Sequence, residues 1–229
     1  MLIKGLQKLT LLDYPDRIAA TVFVGGCNFR CPFCHNASLV LAERGGTEVI
    51  GEEEFFEYLR SRVGRLTGVC VSGGEPTLQH DIADFIRKIK AIGYAVKLDT
   101  NGYRPDVMKK LISEGLVDYV AMDIKSSKDG YGRCSGLSGI DISLIEESAE
   151  ALMSGGVDFE FRTTVVRELH TEDDIRAIGE WLGGGERFFL QTFRDSGDIL
   201  GSGYSAHSDE QMKRMLEILK NYIPRAELR

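Results

Sequence analysis

The sequence lacks the features of a membrane protein and of a nucleic-acid-binding protein. No apolar run approaches the roughly 18 to 20 residues that a membrane-spanning helix needs. Positive charge is also scarce, because 28 Lys and Arg residues stand against 35 Asp and Glu residues and leave a formal net charge of -7. Since binding to a phosphate backbone needs clustered positive charge, we expect neither a membrane nor a nucleic acid among the partners.

Cysteine is scarce as well, and its distribution argues against a framework of disulfides. The chain has five cysteines, an odd number, and Cys27, Cys31 and Cys34 lie within eight positions. Such close spacing indicates thiols that are kept reduced for a metal, and we expect a cytoplasmic protein. Asp13 and Arg17 interrupt the apolar stretch that a lipoprotein signal ending at Cys27 would require.

Internal repeats, linkers and low-complexity segments are absent, and we expect residues 1–229 to form a single domain. Short β-rich runs alternate with stretches of helical periodicity, such as the face formed by Ile82, Phe85, Ile86 and Ile89. Six strands are predicted, at 18–24, 68–72, 94–100, 118–124, 158–166 and 187–193. This alternation indicates an α/β fold with right-handed βαβ units and a parallel sheet. A closed eight-unit barrel typically takes about 250 residues, so six units predict an open, partial (β/α)6 barrel of the TIM type, with a flat doubly wound sheet as the alternative.

Unusual residues cluster where the predicted strands end. GGCNFRC follows the first strand, SGGEP the second, DTNG the third and DIKSS the fourth, while RTTVV lies in the fifth. Active sites of barrels form at the face where the carboxyl ends of the strands meet. We therefore expect these five stretches to line one cavity, and this convergence is stronger evidence than any single motif.

The three thiols of the first stretch allow two interpretations. An iron–sulfur cluster is normally held by four thiolates, so three ligands would leave one iron open. A structural zinc ion would need a closed tetrahedral set, for which His35, one residue from Cys34, is poorly spaced. Cys70 and Cys134 could supply a fourth thiol, although Cys70 in an apolar strand is more simply a small core residue and Cys134 lies in a glycine-rich loop.

The pattern Cys27-x3-Cys31-x2-Cys34, with Phe33 before the last cysteine and HN after it, resembles the signature of the radical S-adenosylmethionine (SAM) enzymes. The longer stretch LTLLDYPDRIAATVFVGGCNFRCPFCHN resembles the activating proteins of anaerobic ribonucleoside-triphosphate reductase, and more widely the glycyl-radical-enzyme activases. The resemblance implies a [4Fe-4S] cluster on the three cysteines, with SAM on the open iron. It also implies one-electron cleavage of SAM to methionine and a 5′-deoxyadenosyl radical, which removes a hydrogen atom from the substrate. The partners implied are a glycyl-radical enzyme and an electron donor such as flavodoxin or ferredoxin.

Two glycines and an acidic residue follow the second predicted strand. Alone, SGGEPTLQ would be an ordinary strand-to-helix turn. Two glycines also let a backbone approach a ligand without a Cβ clash, and Glu75 adds an acceptor for an ammonium group. The resemblance implies that Gly73, Gly74 and Glu75 bind the amino group of the SAM methionine. Asp99, at the end of the third strand, matches an aspartate that helps to hold the same group.

Asp123 and Lys125 lie two positions apart on the fourth predicted strand and so face the same side. Inside a barrel they would be a costly pair if they served packing alone, which leaves a surface ion pair as the alternative. The resemblance implies that Asp123 contacts the SAM ribose and that Lys125 contacts the SAM carboxylate. The other candidates that it places around the adenine or at the active-site face are Phe33, His35, Asn36, Arg162 and Thr164.

The chain departs from the activase pattern at two places. Some activases place a histidine after the sixth strand to help bind the carboxylate, and LQTFRDSG has none. Either Arg194 takes its place or the contact is missing. Other activases insert a stretch with extra cysteines before the Gly-Gly-Glu motif, whereas residues 37–72 hold a single cysteine, so we expect no second cluster. We expect His80, His170 and His207 at the surface or at helix starts and assign them no role.

Three functions compete on these observations. The first is an activase that makes a glycyl radical on a large partner, with anaerobic ribonucleotide reductase as the leading candidate, because an open barrel leaves one side free for a protein loop. The second is a radical SAM enzyme that acts on a small molecule, similar to 7-carboxy-7-deazaguanine synthase. The third is a non-enzymatic metal-binding module, which would leave the Gly-Gly-Glu motif, Asp99 and Lys125 unexplained. We favour the first.

Overall fold

Eight strands form one sheet at the centre of the molecule, for which a computed structural model describes residues 1–41, 49–185, 187–195 and 197–229. In sheet order, which is also chain order, they are β1 (Ile3–Thr10), β2 (Ala19–Val24), β3 (Gly68–Gly73), β4 (Ala95–Thr100), β5 (Tyr119–Asp123), β6 (Asp158–Val165), β7 (Phe188–Thr192) and β8 (Ala226–Leu228). β1 pairs antiparallel with β2, and the pairs from β2 to β8 are all parallel. In the described part of the chain β1 and β8 do not pair with each other, so the sheet is open.

Helices connect most of the strands and bury their apolar faces. They are α1 (Ala37–Val40), α2 (Glu52–Ser61), α3 (Ile82–Ile92), α4 (Pro105–Ser113), α5 (Tyr131–Ser135), α6 (Ile142–Met153), α7 (Glu172–Leu182) and α8 (Asp209–Lys220), and Pro76–Leu78 forms a 3-10 turn. The buried residues of α3 are Ile82, Phe85, Ile86 and Ile89, which is the face that the spacing predicts. Phe85 stacks on Phe55 of α2 with 5.2 Å between ring centroids. Burying such a side chain contributes about 1.5–3 kcal/mol, so these faces hold the helices in place.

A capping box fixes the start of α7. The Thr171 side chain accepts a hydrogen bond from the Asp174 backbone N–H at 3.2 Å, and the Asp174 carboxylate accepts one from the Thr171 backbone N–H at 2.9 Å. This arrangement satisfies backbone donors that the first turn of a helix leaves unpaired. It also gives the preceding residue, His170, a fixed place beside the sheet.

The six predicted strands and the predicted fold class are confirmed. A doubly wound sheet reverses its strand order at a switch point, whereas this sheet keeps the chain order throughout, as a partial barrel does. The predictions missed β1 and β8, which extend the sheet at its two edges. β1 lacks a clean alternation of buried and exposed residues and has two register shifts, and β8 has three residues, so neither shows a strand periodicity.

This topology places the carboxyl ends of β2 to β7 at one edge of the sheet. The five unusual stretches named above lie at the carboxyl ends of β2 to β6, and the residues of interest therefore meet there. Across the described ranges, the helices are too short or too polar to cross a lipid bilayer.

Candidate active site

The three clustered cysteines lie on the loop between β2 and α1, and all three are free thiols. The Cys27 sulfur accepts a hydrogen bond from the Phe29 backbone N–H at 3.3 Å. The loop is tied to distant parts of the chain, because the Arg30 N–H donates to the Ser135 carbonyl at 2.8 Å and the Pro32 carbonyl accepts from the Gly201 N–H at 2.7 Å. The backbone of the thiol loop is therefore held from both sides.

Gly136 makes the first of these contacts possible. It ends α5 in the left-handed conformation, with φ of +71°. A Cβ at this position would overlap the carbonyl oxygen of Arg30. Glycine is thus required both by the backbone angle and by the close approach of the thiol loop.

A cavity of about 230 Å³ opens beside the thiols at the carboxyl ends of the strands. Thirteen of the fourteen predicted site residues line it, the exception being Glu75. They are Cys27, Cys31, Phe33, Cys34, His35, Asn36, Gly73, Gly74, Asp99, Asp123, Lys125, Arg162 and Thr164. The convergence of the five stretches on one cavity is confirmed.

Glu75 lies beneath the cavity rather than in its wall. Its side chain is fully buried, and its carboxylate accepts hydrogen bonds from the Thr77 N–H at 3.0 Å, the Thr100 hydroxyl at 2.8 Å and the Asn101 N–H at 2.7 Å. Burial raises the pKa of Glu75, and these hydrogen bonds oppose the rise. The carboxylate joins the ends of β3 and β4, and in this structure it does not present an acceptor to the cavity.

The two glycines before Glu75 permit close packing of the chain on itself. A Cβ on Gly73 would overlap the backbone of Val24, and a Cβ on Gly74 would overlap the carbonyl of Gly26. The sequence suggested that the two glycines leave room for a ligand. In the structure, their immediate neighbours are instead the end of β2 and the start of the thiol loop. Both residues still line the cavity, so a backbone contact with a ligand stays a prediction.

Five charged side chains of alternating sign cross β4, β5 and β6. Lys97 pairs with Asp99, Arg162 lies 3.5 Å from Asp99 and 2.9 Å from Asp123, and Lys125 lies 3.1 Å from Asp123. We call these five side chains the charge line. It holds three cations and two anions, so the five together have one positive charge in excess. This charge line is inside the barrel, which excludes the surface ion pair considered for Asp123 and Lys125.

Burial and ion pairing act against each other in this charge line. Burial acts to raise the pKa of Asp99, but Arg162 and Lys97 outweigh it and lower the pKa to about 2. Burial likewise acts to lower the pKa of Lys125, and the neighbouring Asp123 carboxylate raises it overall. Nearby cations lower the pKa of Asp123 as well, so Asp99, Asp123 and Lys125 are charged at neutral pH. The Lys125 cation lines the cavity and can pair with an anionic ligand group.

Aromatic and polar side chains form the opposite wall of the cavity. Phe33 is buried and packs edge-on against His170 at 6.1 Å, and His35 stacks on Phe193 at 5.4 Å. Gln191 on β7 completes this wall. Arg194, the substitute considered for the absent histidine, is exposed and does not line the cavity, which favours the alternative that this contact is missing.

A family model described as the Radical SAM superfamily matches residues 21–182. The chain belongs to the radical SAM superfamily. It is 32% identical over 235 residues, covering 100% of this chain and 95% of the relative, to Methanocaldococcus jannaschii MJ1227, whose name assigns it provisionally to the glycyl-radical enzyme activating enzymes. It is 30% identical to the pyruvate formate-lyase 1-activating enzyme of Escherichia coli, covering 96% of this chain and 95% of that enzyme. A crystal structure of Streptococcus suis SuiB bound to SAM shares the fold with a TM-score of 0.67 and 14% identity, covering 91% of this chain and 51% of SuiB.

As a radical SAM enzyme, the protein uses a [4Fe-4S] cluster and SAM, and the residues present fit both groups. Three soft thiolate donors around one cavity suit a cluster with one iron left open. In the described ranges no three His, Cys, Asp or Glu side chains converge on a single metal ion. The non-enzymatic interpretation is wrong, because the matched family is one of enzymes.

The Cys27 and Cys31 thiols of this radical SAM site are protonated before iron binds. Burial raises the pKa of Cys27 to about 11 and that of Cys31 to about 12. Because thiolate is the ligand form, cluster assembly displaces these protons. Cys70 and Cys134 are fully buried elsewhere, Cys70 in β3 as a core residue and Cys134 in α5 rather than in a loop.

Sequence reasoning missed part of the radical SAM site. Six further residues line the cavity, namely Phe29, Val40, Ser72, Thr100, Asn101 and Gln191. Phe29, Ser72, Thr100 and Asn101 lie within two positions of predicted residues, and that proximity was the available signal. Gln191 is instead the β7 neighbour of Thr164, and Val40 lies in α1, four positions after Asn36. We expected His170 at the surface or at a helix start. It does lie directly before the N-cap of α7, but its side chain is buried, with 1% exposed. His170 follows VVREL in the sequence, and this stretch has no pattern that would predict a buried side chain.

Proposed function

We propose that this protein activates a glycyl-radical enzyme, with anaerobic ribonucleoside-triphosphate reductase as the first candidate partner. One electron from a flavodoxin- or ferredoxin-type donor cleaves one carbon–sulfur bond of SAM, and methionine leaves. The carbon-centred radical that remains takes a hydrogen atom from a glycine of the partner, which gives 5′-deoxyadenosine and the glycyl radical. The cluster, when bound, supplies the route for that electron.

One observation carries this proposal: the Lys125 ammonium stands in the same cavity as the three thiols. A radical SAM site needs both, since SAM carries an anionic carboxylate that a cation beside the thiols can hold. The relatives named as activating enzymes support the choice of substrate, because the likeness extends over 95% of each of them and not over a cofactor-binding segment alone. The open sheet also supports a protein substrate, as its two edge strands, β1 and β8, do not pair with each other in the described residues.

The roles of the chain's own residues follow from their positions. We assign the cluster to Cys27, Cys31 and Cys34, and the SAM carboxylate to Lys125, whose ammonium lies at the cavity wall. The backbone at Gly73 and Gly74 is our candidate for the SAM amino group, and Asp99 is the nearby anion. We place the adenine near Phe33, His35, Asn36 and Thr164, and the ribose near Asp123. Glu75 acts beneath the site by holding the ends of β3 and β4 together.

The decisive experiment mixes the reconstituted, reduced protein with SAM and the reductase from the same source under anaerobic conditions. We expect a glycyl doublet by electron paramagnetic resonance, together with 5′-deoxyadenosine. A reductase whose radical-loop glycine is replaced by alanine is the control and should give no doublet. SAM cleavage without a doublet on any glycyl-radical partner would reject the activase and favour a small-molecule substrate. No cleavage of SAM at all would reject both.

Lys125 allows a matched test of SAM binding. Lys125→Met removes the cavity ammonium and should weaken SAM binding at least tenfold while the iron content stays at the wild-type level. Lys128→Met is the control, because Lys128 is exposed and pairs with Glu146 on the surface. Equal SAM affinity in the two variants would contradict the role of Lys125.

Two coarser expectations stay part of this proposal. We take residues 1–229 as a single radical SAM domain, which the continuous sheet order supports. We take the cytoplasm as the compartment, because free thiols and an iron–sulfur cluster require reducing conditions.

A further inference from the structure

His170 is a buried histidine that links three parts of the site. It lies between β6 and α7, and its imidazole contacts the chain just after β5 through the Lys125 carbonyl, 2.8 Å from Nε2. Nδ1 lies 3.0 Å from the Val166 backbone nitrogen, and Nε2 lies 3.7 Å from the Cys134 sulfur. Phe33 of the thiol loop packs against the same ring.

The contact with Lys125 sets the tautomer of a neutral His170. A carbonyl oxygen can only accept, so the proton lies on Nε2, which donates to the Lys125 carbonyl at 2.8 Å. Nδ1 then accepts from the Val166 N–H at 3.0 Å, and its 3.3 Å approach to the Val166 carbonyl is not a hydrogen bond in this tautomer. Burial lowers the pKa of His170, although the bond to the Lys125 carbonyl opposes this, and the ring is neutral at physiological pH.

Lys125 lies beyond the last residue of β5, where the sheet no longer holds the backbone. The chain there is held by individual bonds instead. The Ile124 N–H donates to the Arg162 carbonyl at 2.8 Å, and the Ile124 carbonyl accepts from the Thr163 hydroxyl at 2.7 Å. For Lys125 itself, His170 holds the carbonyl, and the Tyr131 side chain also hydrogen-bonds to the Lys125 backbone. A lysine side chain is long and has many rotamers, so the place of its ammonium depends on a fixed backbone and on the Asp123 partner.

We propose that His170 is a positioning residue that fixes the backbone of Lys125 and thereby sets the affinity for SAM. This inference rests on the proposed function, in which Lys125 binds the SAM carboxylate. His170 does not line the cavity, and its effect passes through the Lys125 carbonyl.

Two variants of similar size and polarity separate the two hydrogen bonds of the ring. The amide nitrogen of Gln reaches the position of Nε2 and can donate to the Lys125 carbonyl. Asn is one carbon shorter and keeps an acceptor for the Val166 N–H, but it does not reach Lys125. With the cluster reconstituted, His170→Asn should weaken SAM binding by about 3- to 10-fold in isothermal titration calorimetry, the range expected for one lost hydrogen bond. His170→Gln should stay within about twofold of the wild type.

A double-mutant cycle tests whether the effect passes through Lys125. In the Lys125→Met background, His170→Asn should change SAM affinity by less than about twofold, because the group that it positions is gone. Tyr94→Phe controls for stability alone, since it removes a buried hydroxyl bond of 2.8 Å to the Leu59 carbonyl, far from the cavity. It should lower the melting temperature and leave SAM affinity unchanged.

The remaining outcomes would overturn either the positioning role of His170 or the proposed function. Equal affinities of the Asn and Gln variants, or the same loss in both Lys125 backgrounds, would overturn the positioning role. If the wild-type protein with a full cluster does not bind SAM, the proposed function fails and this inference fails with it. If the wild type binds SAM and His170→Asn binds equally well, the inference alone fails.

Discussion

The Arg162 Nε lies 2.9 Å from Oδ1 of Asp123, inside the barrel and between two carboxylates. The side chain is 14% exposed, and Asp99 faces its other end at 3.5 Å. One guanidinium therefore neutralises carboxylates on two neighbouring strands and joins both halves of the charge line.

Replacing Arg162 by Gln should be strongly destabilising. It leaves Asp99 and Asp123 facing each other without their shared cation, and loss of one partner from a buried ion pair costs about 3–5 kcal/mol. Urea unfolding would measure this difference. Arg176→Gln removes an exposed arginine 4.0 Å from Asp173 and should change the free energy of unfolding by less than about 0.5 kcal/mol. Similar values for the two variants would show that burial of the charge line adds nothing.

Asp99 should make stability fall at acid pH. Its pKa is about 2 in the folded protein, against about 3.9 in an unfolded chain, so its contribution is present above pH 4 and is lost as pH falls towards 2. The full shift corresponds to about 2.6 kcal/mol, of which about 2 kcal/mol is lost by pH 2. Between pH 5 and pH 2, wild-type protein should therefore lose about 2 kcal/mol more than Asp99→Asn in urea titrations, while Asp173→Asn should follow the wild type. Parallel curves for wild type and Asp99→Asn would contradict the shift.

Cys31→Ala should remove bound iron from the anaerobically reconstituted protein, since a cluster would keep two protein ligands. The matched control is Cys70→Ala, because Cys70 is equally a buried free cysteine but lies in β3 outside the cavity. The control should keep its iron and lose about 1 kcal/mol of stability from the small void. Iron analysis and the visible absorption of the cluster check both. Retention of iron by Cys31→Ala would disprove its role as a ligand.

Gly136→Ala should disturb the thiol loop more than its backbone angle alone explains. The strain of a left-handed alanine costs about 1–2 kcal/mol, and the added methyl group would also overlap the Arg30 carbonyl. Gly139→Ala isolates the first effect, because Gly139 has φ of +75° and open space around it. We expect Gly139→Ala to keep wild-type iron content and Gly136→Ala to lose most of it. The same iron content in both would mean that the loop tolerates the displacement.

The sequence predicted those features that depend on local pattern. Cys27, Cys31 and Cys34 are close together in the chain, and the carboxyl ends of parallel strands lie at the same edge of a sheet. The residues that line the cavity could therefore be predicted from the sequence. The direction of Glu75 could not, because its partners Thr100 and Asn101 lie some 25 residues further along the chain and on another strand. A sequence motif identifies the type of residue, but it does not show which groups will hydrogen-bond to its side chain.

The burial of His170 shows the same limit. Its partners lie 4, 36 and 45 residues away, at Val166, Cys134 and Lys125, and no periodicity connects positions so far apart. The two edge strands, β1 and β8, could not be predicted for a different reason. β1 has a bulged register and β8 is short, so each depends on its neighbour more than on its own side chains.

The agreement between strand order and chain order has a consequence for synthesis on the ribosome. Each new strand from β3 onward emerges next to a partner that is already in place, so the sheet can grow in one direction as the chain lengthens. The thiol loop belongs to the second strand, whereas Ser135 and Gly201, which hold it, emerge more than a hundred residues later. Nascent chains thus carry three uncovered thiols for much of translation, which makes this the stage most exposed to oxidation and most accessible to iron delivery.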